Sequence, residues 1–420
     1  MLEENMSYKS IKVECFGKPK DEILQLYKAR ISNYSTISLR CYPNIMKHGE
    51  RTGSKYEAFI VFNREIQNLV EQVMRKSSII QRLTNDLPNV AKTQYLRQLL
   101  LSDIQATNAI ENIETTLEEL GNTMVHILGD KGDDLKMSST IKRYIDILDG
   151  KCLSLHTHQD INDIFYRFLV GEIEQGRYPD GEFYRDRMVR IGNEFETKLE
   201  PLDNEEGIKA QMLDWISMIN RDDFNFLIKA FAAHFIFENI HPFTDGNGRL
   251  GRYIMSSYIA KKLDLFTGIS LSSAISKNQS IYYKAFVEAA DDRNYAEVTL
   301  FVQDMLQIVC NFQDEIIEKL ENSYMMLQKV MQKINIITDD KLERSILSLI
   351  AQSDLFNDIK TAQIKDKEII EALNKRAFDR YSRDAIKECI KALEDRKWIV
   401  IPSPKPTRYL QHNLSLLFES

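Results

Sequence analysis

The chain has 420 residues, with 55 Lys and Arg against 62 Asp and Glu for a net charge of −7, and 43% of it is hydrophobic and 28% charged. That balance excludes wholesale disorder, and the length allows roughly two to four domains, each able to bury a core. With only 16 Gly and 9 Pro, the chain cannot turn often enough for a sandwich or barrel, so a mainly α fold is expected. The most apolar run, Phe224 to Phe237, is interrupted by Lys229 and His234, short of the roughly 18 uninterrupted apolar residues of a membrane span. The opening Met-Leu-Glu-Glu-Asn is acidic where a secretory signal is basic. A cytoplasmic location with no membrane partner is the expectation. Five scattered cysteines without a C-x-x-C spacing suit buried thiols better than disulfides or zinc.

Residues 1–64 read as a small α+β extension, with strand-like pieces at Ser10–Cys15, Thr36–Cys41 and Ala58–Phe62 and a helix over Asp21–Ser32. From Glu65 the apolar spacing becomes helical, through Ile66, Leu69, Val70 and Val73. A second helix is expected from about Thr93 to Leu120, ended by Gly121. After a Gly-, Pro- and Asp-bearing stretch from Gly171, the β-prone run Met188–Ile191 suggests a hairpin, and helices resume near Glu206. These elements make up a core over 65–311, followed by a helical linker over 312–335. In 336–420, three helical patterns, the last capped by Ser382, precede strands at Trp398–Ile401 and Arg408–Gln411. That order is winged-helix-like.

The chemistry is concentrated in His241-Pro-Phe-Thr-Asp-Gly-Asn-Gly-Arg-Leu-Gly-Arg252, between a helix ending near Asn239 and one beginning near Asn247. Gly246 and Gly248 flank Asn247 and let backbone approach a ligand, and the next helix aims its unpaired N–H groups at that spot. Such a site suits phosphate. Arg249 and Arg252 are one turn apart and offer two guanidinium forks to the further phosphates of a nucleotide. Asp245 supplies a hard oxygen for Mg²⁺, and His241 is a group able to accept a proton near pH 7.

This segment resembles the signature of the Fic family, H-x-F-x-[DE]-G-N-G-R-x-x-R, at all eight fixed positions: His241, Phe243, Asp245, Gly246, Asn247, Gly248, Arg249 and Arg252. The alternative of a plain helix–helix turn requires neither the histidine nor the second arginine. The resemblance covers about Glu65 to Asn311 and implies a helical Fic core with a β-hairpin flap. It also implies transfer of AMP from ATP to a Ser, Thr or Tyr hydroxyl of a target protein. His241 would then deprotonate the hydroxyl and Asp245 would hold Mg²⁺. Gly246, Asn247, Gly248 and Gly251 would belong to the nucleotide site, with Arg249 and Arg252 on its β- and γ-phosphates.

Tyr184-Arg185 and Met188–Gly192 resemble the first strand of the family's flap, which implies nucleotide contacts from Ile191, Gly192 and Asn193. Tyr282-Tyr283 resembles the aromatic pair of the adenine pocket, with Tyr283 as the candidate ligand; two core tyrosines are the other reading. Thr107-Asn-Ala-Ile-Glu111-Asn112 resembles the inhibitory motif [ST]-x-x-x-E-[GN] of one Fic class. Thr107 and Glu111 would share a helix face, and a Glu111 carboxylate on Arg252 would take the fork meant for γ-phosphate.

The leading expectation is therefore an autoinhibited protein adenylyltransferase using ATP and Mg²⁺, with the chain itself and other proteins as candidate targets. Two alternatives stay open. The same Glu111 could orient water for removal of AMP. A DNA-binding regulator could instead use the C-terminal domain, where Lys375–Arg408 carries a local charge of +5 in an acidic protein; winged helices also dock proteins. Homo-oligomerisation is a further open expectation.

Overall fold

The apolar stretch before the glycine-rich loop forms the helix Phe226–Ile240, which is apolar on every side and buried without a break from Leu227 to Phe237. A helix with no face to give to water has to lie inside its domain. Its neighbours are the helices Glu205–Ile219 and Asn247–Lys262. Trp215 locks the first of these in place, its indole N–H donating to the Ala233 carbonyl at 2.8 Å and its ring lying 5.5 Å from that of Phe237.

This computed structural model describes residues 7–48, 50–129, 135–187, 204–374, 381–400 and 411–412. Among them are seventeen α-helices and six short strands, so the fold is mainly α. The chain divides into two compact units, one of Met1–Ser77, Ala106–Ile113 and Arg143–Gln313, the other of Ser78–Gln105, Glu114–Lys142 and Asp314–Ser420. No helix of the described residues is long and apolar enough to cross a membrane.

In the first unit, the N-terminal residues form the helix Lys20–Ile31 and two antiparallel strand pairs. Thr36–Ser38 pairs with Phe59–Val61, and Asn44–Lys47 pairs with Glu50–Gly53, placing Met46 opposite Arg51. The expected strand at Ser10–Cys15 is instead a short helix, Ile11–Glu14, whose N-cap Ser10 accepts from the Val13 N–H. The alternation of Ile11, Val13 and Cys15 imitates a strand. Burial resolves it, because Ile11 and Cys15, four apart, pack with Phe59 while Val13 is exposed.

The single helix expected over Thr93–Leu120 is two helices, Asn89–Ile110 and Leu117–Leu128. Asn112 adopts φ 57° and the Ile113 N–H returns to the Asn108 carbonyl at 2.9 Å, which closes the first helix. Thr116 and Glu119 then open the second with a reciprocal capping box. Gly121 does not end a helix but lies within one. A Cβ there would stand 2.1 Å from Thr361 Oγ1, so the glycine serves close packing inside the second unit.

The second unit also contains the helices Lys341–Phe356, Asp366–Asn374 and Arg383–Asp395, followed by Ile399–Val400 paired antiparallel with Gln411–His412. Ser382 caps the third helix by accepting from the Ala385 N–H, and Ile386, Ile390 and Leu393 form its buried face. The expected order of three helices and two strands is present. Residues 401–410, where the turn of the wing is expected, lie outside the described residues.

Candidate active site

The His241–Gly246 loop turns between two left-handed residues. His241 (φ 56°) ends the helix Phe226–Ile240, its N–H bonded to the Phe237 carbonyl at 2.9 Å. Gly246 (φ 80°) begins the helix Asn247–Lys262. At Gly246 the requirement is twofold, since a Cβ would meet Leu169 Cδ1 at 2.4 Å as well as strain the backbone. Asn247 staples the turn from within. Its side-chain oxygen accepts from the Phe243 N–H at 2.9 Å and its amide donates to the Phe243 carbonyl at 2.8 Å. Phe243 is buried and stacks on Phe165 with ring centroids 4.0 Å apart.

This staple leaves the start of the Asn247–Lys262 helix facing outward, where unpaired N–H groups and the dipole favour an anion. The structure holds one there. Glu111 Oε1 accepts from the Arg252 guanidinium at 2.7 Å and rests directly on Gly248, where a Cβ would lie 2.0 Å from it. Arg252 is 1% exposed, and Thr107 accepts two further bonds from it: Nε donates to Thr107 Oγ1 at 2.9 Å, and the terminal nitrogen that meets Glu111 also donates to the Thr107 carbonyl at 3.2 Å. Burial alone would lower the Arg252 pKa, but Glu111 raises it and keeps the cation charged. Glu111 lies one residue beyond its helix rather than on its face, and the turn at Asn112 carries it.

Arg249 is differently placed. It is 3% exposed, its nearest carboxylate is Glu172 at 3.8 Å, and its Nε and one terminal nitrogen have no hydrogen-bond partner among the described residues. Buried guanidinium donors without acceptors cost free energy, which an arriving phosphate would recover.

His241 stands at the far end of the loop with Nδ1 buried and without a partner among the described residues. Burial, with Arg51 and Arg185 nearby, pushes its pKa down to about 3, so the imidazole is neutral at physiological pH. Arg185, fully buried, fixes the peptide behind it: Nε donates to the His241 carbonyl at 2.8 Å and the Arg185 N–H donates to the Pro242 carbonyl at 3.0 Å. The Glu205 carboxylate accepts from the N–H groups of Glu182, Phe183 and Tyr184, and the Glu205 N–H donates to Asp186. The two chain segments flanking 188–203 are thereby tied together and to the loop. The expected strand Met188–Gly192, with Ile191, Gly192 and Asn193, lies outside the described residues.

Asp245 divides its carboxylate. Oδ1 accepts from the Gly246 N–H at 2.6 Å, while Oδ2 faces outward to Arg177 at 3.1 Å. One oxygen aimed at a cation, on a side chain about one-third exposed, fits Mg²⁺ held by a single carboxylate together with nucleotide phosphates and water. No cluster of three or more His, Cys, Asp or Glu suited to a metal exists among the described residues.

The sequence of residues 153–259 matches the model of the Fic/DOC family. Within residues 153–259 the chain carries a Fic/DOC domain. Among solved structures, a Fic family protein from Desulfovibrio desulfuricans G20 shares 21% identity over 84% of this chain and 97% of its own, with a TM-score of 0.49. A Fic domain containing signaling protein from Bacteroides thetaiotaomicron VPI-5482 shares 18% over 60% and 94%, with a TM-score of 0.42. Fic-1 from C. elegans shares 16% over 73% and 79%, also with a TM-score of 0.42.

The Fic loop brings His241, Asp245, Gly246, Gly248, Arg249 and Arg252 together, with Thr107 and Glu111 arriving from a distant part of the chain. Gly251 turns away from this surface. A Cβ there would meet Glu238 Oε1 at 2.3 Å and Phe237 Cδ1 at 3.1 Å, so it serves the contact between the loop's two helices. The Asn247 side chain is likewise spent on the loop, which leaves only its backbone for a ligand. Tyr283 is 47% exposed and donates to the Ile110 carbonyl at 3.3 Å, one residue before Glu111. Its partner Tyr282 is buried, its hydroxyl 2.8 Å from His234 Nε2. Sequence reasoning missed Arg51, Glu172 and Arg177 around the site, and it placed Arg185 in the flap strand rather than behind His241. None of the first three sits in a local pattern that marks it, and only the fold brings all four to the loop.

Proposed function

We propose that this Fic domain is a protein adenylyltransferase that moves AMP from ATP to a Ser, Thr or Tyr hydroxyl, and that Glu111 holds it at rest. The family includes AMP-transferring enzymes, and its members are generally transferases. The observation that carries the reading is the Glu111 carboxylate on Gly248 and Arg252. An anion already sits at the helix N-terminus, against the buried arginine that a triphosphate would need.

With Glu111 withdrawn, the phosphates enter at the helix N-terminus and against Arg249 and Arg252. His241, its imidazole neutral, takes the proton of the incoming hydroxyl on a ring nitrogen. That oxygen bonds to the α-phosphorus, the bond from α-phosphorus to the bridging oxygen breaks, and pyrophosphate leaves with the electron pair. Mg²⁺, held by Asp245, would supply charge neutralisation to the phosphates. The remaining work is positioning and charge stabilisation by the loop. The test is incubation of Glu111→Gly protein with ATP labelled at the α- or at the γ-phosphate. Label retained on protein from the α position alone supports adenylylation. Label from the γ position would mean phosphorylation, and none from either would reject the reading.

A further inference from the structure

The segment after the helix His158–Leu169 sends two opposite charges to the Fic loop. Glu172 approaches Arg249 at 3.8 Å, and Arg177 donates to Asp245 Oδ2 at 3.1 Å. The second contact engages the carboxylate oxygen that faces outward, the other oxygen being bonded to the loop's own Gly246 N–H. The guanidinium therefore stands where positive charge on Asp245 belongs. Arg177 closes a 3₁₀ turn, Gln175–Arg177, its N–H bonded to the Glu174 carbonyl at 2.8 Å. Its Nε also lies 3.3 Å from the Glu174 carboxylate, so a second partner is in place if the first is lost.

We infer that Arg177 is the resting occupant of the cation position on Asp245 and that a divalent cation arriving with nucleotide must take that position from it. The inference rests on the reading of Asp245 as the metal-holding residue. Guanidinium and metal ion are exclusive there, since both need the same oxygen and repel each other. Arg177 is 57% exposed, and an ion pair in such a setting is a weak competitor, weakened further by salt. It sets a threshold in Mg²⁺ rather than an absolute block. This threshold is independent of Glu111, which acts on the arginine side of the loop.

ATP binding is measured by calorimetry as a function of Mg²⁺ in a Glu111→Gly, His241→Ala chain, which frees the site and prevents turnover. Adding Arg177→Gln is expected to lower the Mg²⁺ concentration for half-maximal tightening about three- to fivefold at low salt. The shift shrinks at high salt, affinity in EDTA stays unchanged, and Arg177→Lys gives a smaller shift. An unchanged Mg²⁺ requirement would make the pair a bystander and overturn the inference. Weaker ATP binding both with and without Mg²⁺ would make Arg177 a phosphate ligand and also overturn it. Asp245→Asn separates the two levels: loss of Mg²⁺ dependence upholds the reading of Asp245 whatever Arg177 does, whereas retained dependence removes that reading and the inference with it.

Discussion

Glu111 and Arg252 meet at 2.7 Å, but they are unequal partners: the Arg252 side chain is 1% exposed and the Glu111 side chain 37%. Arg252 is fixed by two further bonds to Thr107, while Glu111 stands on a left-handed turn at the mouth of the site. The movable half of the pair is the carboxylate. On the proposed function, relief of inhibition would require withdrawal of Glu111 into water and would leave Arg252 where it is.

Replacing Arg252 by Ala would remove the fork proposed for the far phosphates and leave Thr107 without its donor. ATP binding in the Glu111→Gly background should weaken by tenfold or more, with AMP binding little changed, as calorimetry with the two nucleotides would show. The folded state should lose about 1–3 kcal/mol, because a buried bonded cation is removed while Glu111 can rehydrate. Equal loss of affinity for both nucleotides would contradict the assignment to the far phosphates.

Gly246→Ala places a Cβ at φ 80° and 2.4 Å from Leu169 Cδ1. Left-handed backbone costs an L-residue about 1–2 kcal/mol before any clash, so thermal unfolding should show a loss of about 1–3 kcal/mol. Gly171 (φ 76°) has no atom within 4 Å of an added Cβ. Gly171→Ala thus reports the backbone term alone and should cost less.

Burial pushes His234 and His241 each down to about 3. Below about 6.5 the unfolded chain binds protons at these sites that the folded chain does not, so stability falls as pH drops from 6.5 toward 3. Glu238, pushed up to about 8 by burial, opposes this: it keeps a proton in the folded state and favours folding at the lower pH. Asp214, Asp264 and Asp304, raised by burial, act with Glu238, and His158, lowered by burial, acts with the two histidines, so the histidine contribution is read by difference. His234→Gln should lose less stability than the parent protein between pH 6.5 and pH 5; an equal loss in both would contradict the assignment to His234.

The sequence made the loop legible because its residues are contiguous: His241, Asp245, Gly246, Gly248, Arg249 and Arg252 lie within one turn and one helix end. The largely apolar helix before it and the Ser382 cap were legible for the same reason, each being a local pattern. What escaped depended on contacts across the chain. Gly251 reads like the other loop glycines until Phe237 and Glu238 are seen against it. The helix break after Ile110 was marked by Asn112 and by Thr116-x-x-Glu119, yet continuous apolar spacing outweighed both signals. Arg177 carries no pattern at all, and Arg185 reads only as part of a flap strand; the fold is what lays them on Asp245 and on the His241 carbonyl.

The proposed function has an internal carboxylate, Glu111, standing in for nucleotide phosphate. It is tested most directly by the rate of label incorporation from α-labelled ATP in wild type, Glu111→Gly and Glu111→Gly/His241→Ala. Misalignment at a reacting centre costs about 10²-fold, so Glu111→Gly should exceed wild type by at least tenfold, with self-modification included. The double variant should bind ATP as Glu111→Gly does and transfer nothing, since only the base is gone. A Glu111→Gly protein no faster than wild type, or one whose transfer survives loss of His241, would contradict the account.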